Sequence, residues 1–324
     1  MDNGILIEQL NDAVEVIVAG TANPEITLTS RDPNLAALLE IAVELRNLPR
    51  ADFKARLRSE LERKTEMTTT AVKPVREGFH TVTPYLRAHA AMELIDFVRL
   101  AFGAEELLRT SGPGGGIHSE IKIGDSIVMI GGGSGIVSMP TALHLYVDDA
   151  DAVYERAVNA GASSTHGPVD QPYGDREAGV KDLSGNYWYI ATHKATGRAP
   201  EGLRSVTPYL HPRGAAEMID FLQRALRAEE QFRHQSPDGV IHHASIKIGD
   251  SVVEMGEAHG PWQPMPTMFY LYVDDADAWY RHAIEAGSIS ISEPADQLYG
   301  DRVAGVRDPF DNEWYLATHI KEPV

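Results

Sequence analysis

His118 and Glu120 alternate with apolar residues in IHSEIKIG, and His144 does the same in ALHLYV. A side-chain period of two puts all three on the face opposite Ile117, Ile121, Ile123, Leu143, Leu145 and Val147. Imidazole and carboxylate together can hold a divalent cation or hydrogen-bond an organic ligand. The corresponding places later in the chain carry His243, Ser245 and Tyr270, so a metal site from His118, Glu120 and His144 is available once. The alternative is a polar pocket wall, bonded internally or to a ligand. Glu254 adds a carboxylate read as a pocket acid. Tyr189 and Tyr315 alternate with buried-type Trp188, Ile190, Trp314 and Leu316 and join the polar face.

A second constellation is the string QPYGDREAGV at Gln171–Val180, which returns as QLYGDRVAGV at Gln297–Val306. Glycine allows a tight turn, the aspartate can bond nearby backbone amides, and arginine can grip a carboxylate with two prongs. The architectural reading is a scaffold turn. The ligand reading has Tyr173 and Arg176, with Tyr299 and Arg302, reaching over a pocket mouth toward an anionic or aromatic molecule. His193 and His319, which close ATH twice, are expected at the surface.

These residues sit in an internal repeat. TVTPYLRAHAAMELIDF from Thr81 returns as SVTPYLHPRGAAEMIDF from Ser205, and LYVDDADAVYERAVNAGA from Leu145 as LYVDDADAWYRHAIEAGS from Leu271. The repeats are assigned to 79–194 and 204–320, with a connector at 195–203. Each reads as strand, helix and three strands, written twice. Gly103 should end the first helix, and Asp148 and Asp149 should open the second. The helices cover one face of a curved sheet, and the polar face lines a hollow. Residues 1–66 read as a small helical segment that docks or dimerises the chain, followed by a linker at 67–78.

Composition narrows the partners. The net charge is −18, so nucleic acid and acidic membrane surfaces are disfavoured. No apolar run approaches the ~20 residues of a membrane span, and the acidic start does not read as a secretion signal. A cytoplasmic location is expected. Zero cysteines exclude thiolate chemistry and disulfides. No Gly-x-Ser-x-Gly elbow or phosphate-binding loop is present.

The strings VTPYL, IKIGDS, LHLYVDDADA, QPYGDR and DLSGNYWYIATH make the chain resemble the vicinal oxygen chelate superfamily, in its PhnB-like glyoxalase/bleomycin-resistance branch. That resemblance implies an α+β fold: tandem domains of paired βαβββ modules, each pair a strongly curved mixed sheet. It also implies metal positions at Thr83, Met129, Ala142 and Tyr189 in the first repeat, and Thr207, Glu254, Met268 and Tyr315 in the second. Glu254 alone suits a hard divalent cation. The expectation is therefore a protein that binds a small organic ligand in its cups through His118, Glu120, His144, Tyr173, Arg176, Tyr189, His243, Glu254, Tyr270, Tyr299, Arg302 and Tyr315. No cofactor is expected. The alternatives are a metal-dependent lyase, isomerase or dioxygenase with an unusual ligand set, and an interaction scaffold acting through the N-terminal helices, which could also form a homodimer.

Overall fold

The computed structural model describes residues 73–111, 115–260 and 262–321. The expected helical segment at 1–66 lies outside the described residues, as does the first half of the 67–78 linker.

Each repeat contains two half-units of strand, helix and three strands. The first half-unit is β1 (Val82–Ala88), α1 (Ala91–Phe102), β2 (Glu105–Ser111), β3 (Ile117–Ile123) and β4 (Ser126–Gly132). The second is β5 (Ala142–Tyr146), α2 (Ala150–Asn159), β6 (Ser163–Asp170), β7 (Asp175–Lys181) and β8 (Tyr187–His193). The second repeat opens with β9 (Val206–Leu210), α3 (Ala215–Leu226), β10 (Glu229–Gln235), β11 (Ile241–Ile248) and β12 (Ser251–Met255). It closes with β13 (Met268–Tyr272), α4 (Ala276–Glu285), β14 (Ile289–Asp296), β15 (Asp301–Arg307) and β16 (Glu313–His319).

Helix ends follow local chemistry. The Asp149 and Asp275 side chains accept from the amides of Ala152 and Ala278, capping α2 and α4. Gly103 ends α1 at φ 67°, in the left-handed region that glycine enters without a Cβ clash.

The half-units pair across the repeats. One eight-stranded sheet runs β14-β15-β16-β13-β1-β4-β3-β2; the other runs β10-β11-β12-β9-β5-β8-β7-β6. The two seams, β1–β13 and β5–β9, are antiparallel with four register pairs each. A sheet therefore draws one half-unit from each repeat.

The apolar cores follow the repeats instead. Leu94, Ile95, Leu143, Leu145, Trp188 and Ile190 fill one core beneath α1 and α2. Met218, Ile219, Phe269, Leu271, Trp314 and Leu316 fill the other beneath α3 and α4. Both tryptophans are fully buried, as their alternation predicts, and each donates its indole N–H to a buried aspartate, Asp182 or Asp308, at 2.9 Å. Among the described residues no helix is long and apolar enough to cross a membrane.

Candidate functional site

The sheet of β5–β12 presents a polar face built by two-residue alternation. His144 and Tyr146 project from β5, Glu177 from β7, Tyr189 from β8, Tyr209 from β9, His243 from β11 and Glu254 from β12. The register aligns His144 with Tyr189 on one side and with Thr207 on the other. These side chains meet only because the sheet is shared between repeats.

Buried His144 is the centre of the group. Its Nδ1 lies 3.1 Å from Glu254 Oε2, and because a carboxylate only accepts, Nδ1 is the donor. Its Nε2 is buried without a hydrogen bond, with Glu177 Oε2 3.6 Å away. Glu177 also accepts from the Tyr173 hydroxyl at 2.9 Å and has His166 Nε2 at 3.5 Å. Glu254 has His243 Nε2 at 3.6 Å. Both carboxylates are buried, while His166 and His243 are about one-third exposed, at 33% and 35%. The floor is thus acidic and buried, and the rim is partly exposed.

Electrostatics sorts the imidazoles. Burial pulls the His144 pKa down, but the hydrogen bond to Glu254 and the charges of Glu254, Glu177 and Asp175 outweigh it, and the net shift is upward. Burial also lowers the His243 pKa, against an upward pull from Glu254. Burial drives His211 down to about 4, with His259 adding repulsion. The Glu177 carboxyl is raised by burial, then brought below its ordinary value by His166, His144 and Tyr173. A protonated His144 between two carboxylates can hold a charged or polar ligand head and can pass a proton through Nε2.

Aromatic rings form the wall. Tyr146 lies 4.4 Å from the His144 ring by centroids, and Tyr189 lies 5.5 Å from Tyr209. The Tyr189 hydroxyl and His211 Nε2 are 2.9 Å apart.

The second cup differs. On the sheet joining β1–β4 to β13–β16, Phe79, Ile127, Met129, Tyr270, Tyr272 and Val303 pack into an apolar cluster, with Val75, Tyr85 and Tyr315 against it. The segment before β1 supplies Val75 and Phe79, and with them Arg76. Its guanidinium forks onto Glu120 at 2.5 and 3.0 Å. Glu120 would be raised by burial, but hydrogen bonds from His118 and Arg76 hold it low. His118 also lies 3.2 Å from the Tyr85 hydroxyl.

The sequence-predicted residues therefore divide between two places. His144, Tyr173, Tyr189, His243 and Glu254 gather in the β5–β12 cup. His118, Glu120, Tyr270 and Tyr315 stand in the other, with Tyr299 half-exposed beside Tyr270. A metal set of His118, Glu120 and His144 is not assembled, because the first two belong to one sheet and the third to the other. Among the described residues no group of three or more His, Cys, Asp or Glu side chains is arranged to hold a metal ion. In the β5–β12 cup, the positions implied by the resemblance become Ala142, Tyr189, Thr207 and Glu254. With one anionic oxygen donor among them, they do not fit a divalent ion.

Arg176 and Arg302 grip helices. Arg176 forks onto Asp151 of α2 at 2.7 Å through both prongs. Arg302 does the same to Asp277 of α4, at 2.8 Å through Nη2 and closely through Nε. The preceding Asp175 and Asp301 are buried and accept from His193 and His319 at 2.6 and 2.7 Å. His319 is thus buried, not at the surface: its aspartate partner draws it inward. Gly174 and Gly300 take φ of 103° and 98°, which the turn requires.

Glu177, His166, Tyr146, Tyr209, His211 and Arg76 were missed from sequence. The replacement of Glu177 by Val303 in the second copy of the string was the available signal for the first of these. Arg76 lies in a non-periodic linker and carried none.

The comparisons agree with this architecture. The profile of the Glyoxalase/Bleomycin resistance protein/Dioxygenase superfamily matches residues 212–316. An uncharacterized protein of Mycobacterium bovis is 34% identical over 129 residues, spanning 36% of this chain and 85% of that protein. Glyoxalase I from Zea mays superposes with a TM-score of 0.57 at 15% identity, covering 73% of this chain and 92% of the maize chain. A putative dioxygenase from Bacillus subtilis gives a TM-score of 0.51 at 14% identity, covering 75% and 87%. At such identities the two structures speak for the fold alone. Together with the tandem half-units and their paired sheets, these matches place the chain in the glyoxalase/bleomycin resistance/dioxygenase superfamily, the vicinal oxygen chelate fold.

Proposed function

We propose that this protein binds a small organic molecule in the cup of the β5–β12 sheet, without the metal centre that other members of the superfamily use. The observation that carries the reading is the floor itself: two buried carboxylates, Glu177 and Glu254, face one buried histidine whose Nε2 has no hydrogen bond. Burying charge is costly unless it is paired, so a floor of this kind is retained where a bound group completes it. The tyrosines supply flat apolar area with polar tips, which suits an organic ligand. The other cup is filled by its own chain through Val75, Arg76 and Phe79, which supports one competent cup per chain.

The test is a thermal-melting screen of the full chain against small organic metabolites, followed by titration of the hits into wild type and His144→Ala. A ligand that binds only the native state raises the midpoint. The expected result is at least one compound whose stabilisation is weakened about tenfold or more in affinity by the substitution. Stoichiometric, tightly held divalent metal with chelator-sensitive melting would replace this reading with that of a metal-dependent lyase, isomerase or dioxygenase.

A further inference from the structure

The two cups are related by the internal repeat, so one can be read as the key to the other. In the β1–β4 and β13–β16 cup the chain supplies its own occupant. Arg76 forks onto buried Glu120 and lies 5.0 Å from the centre of the Phe79 ring. Phe79 in turn meets Tyr272 edge-on at 5.3 Å. A planar cation is held by a carboxylate, with an aromatic ring beside it and tyrosines around it.

In the β5–β12 cup the corresponding linker position is Pro200, so no guanidinium enters from that place. The acid has moved rather than disappeared. Ser245 replaces Glu120, while Glu254 replaces Met129, Glu177 replaces Val303 and His144 replaces Tyr270. Among the described residues no lysine or arginine pairs with Glu177 or Glu254; their charged neighbours are His144, His166 and His243. The buried floor thus sets two carboxylates against one buried imidazole, His144. Two imidazole nitrogens near Glu177, His144 Nε2 and His166 Nε2, are buried without a hydrogen bond.

From this we infer that the β5–β12 cup selects an organic cation, an amidinium, guanidinium or protonated amine carried on a flat apolar body. The inference deepens the binding function proposed above and rests on it. A cation head completes the pairing of Glu177 and Glu254, as Arg76 completes that of Glu120. The faces of Tyr146, Tyr189 and Tyr209 attract positive charge and accept a flat body by stacking. A carboxylate or phosphate would meet two like charges in a water-poor floor, which a pocket of this composition rejects.

The experiment is calorimetric titration of the full chain at neutral pH with three near-isosteric probes: benzamidinium, benzamide and benzoate. Benzamidinium should bind at least about tenfold more tightly than benzamide, and benzoate should not bind measurably. Two variants locate the site with residues the fold already carries at the equivalent positions of the other cup, Glu177→Val and Glu254→Met. Each should weaken benzamidinium about tenfold, and their melting midpoints report that they remain folded. Benzamide or benzoate binding as tightly as benzamidinium, with the same sensitivity to the variants, would overturn the cation selectivity and leave the binding function standing. Benzamidinium binding that ignores both variants would likewise overturn the inference. Absence of binding by all three probes would overturn the cation inference, and the melting screen would decide the binding function separately.

Discussion

The two cups have the same strands, the same tyrosines near their centres and opposite interiors. Tyr85 and Tyr209 occupy equivalent places, as do Tyr315 and Tyr189. Around them one cup has Met129, Val303 and Tyr270, and the other has Glu254, Glu177 and His144. One cup closes itself with Arg76 and Phe79; the other gathers buried charge around a histidine that its network leaves incomplete. A duplicated scaffold thus supports a structural plug on one side and a ligand floor on the other. Three or four inward positions make the difference, and the helices, seams and turns remain common to both.

The largest expected effect comes from opening the plugged cup. Arg76→Ala leaves Glu120 buried without its guanidinium, and loss of one partner of such a pair costs about 3 kcal/mol, toward the low end because the arginine is 30% exposed. Urea denaturation measures it. Adding Glu120→Ser, the residue found in the other cup, should recover most of the loss. A single variant as stable as wild type would show that the plug is incidental.

A slightly smaller effect concerns acid. His211, whose equivalent in the other cup is the non-titrating Arg87, has a pKa lowered to about 4. A depressed histidine contributes stability above its unfolded value of ~6.5, and that contribution fades as pH falls toward 4. The loss amounts to about 2–3 kcal/mol. His144, shifted upward, has the opposite sign: its contribution is present below ~6.5 and is lost as pH rises through its folded value. Denaturation curves from pH 4 to 8 should flatten on the acid side in His211→Asn and on the alkaline side in His144→Gln. Identical pH profiles for wild type and both variants would remove the electrostatic contrast between the cups.

The smallest effect belongs to the duplicated arginines. Arg176→Ala and Arg302→Ala remove partly exposed forks onto Asp151 and Asp277, so each should shift the melting midpoint little, and by similar amounts. Neither should change ligand affinity, since both guanidinium groups grip helices. A selective loss of binding in Arg176→Ala would return that residue to the pocket edge.

Much of this was legible in the residues. Alternation in ALHLYV and YWYIA put Leu143, Leu145, Trp188 and Ile190 under the helices and His144 and Tyr189 on the opposite face, because a strand cannot present neighbours to one face. The pairing of half-units was not legible. β1 and β9 both begin VTPYL, so the edge that β5 joins cannot be told from side chains that are the same on each. That ambiguity is why His118, Glu120 and His144 looked like one set and proved to be two. The meeting of His144 with Glu254 and His243 depends on partners about a hundred residues apart, which no local pattern encodes. The Arg76 plug is invisible for a different reason: it acts from a segment with no period, through one long side chain.

The antiparallel seam between β5 and β9 carries a consequence of its own. The apolar interior of each repeat borrows one seam valine from the other, Val82 or Val206, whereas the polar floor takes His144 and Glu177 from one repeat and Glu254 and His243 from the other. A molecule seated there would touch both halves at once and would act as a clasp. Its release would loosen the join between the repeats, so occupancy and the firmness of that seam would rise and fall together.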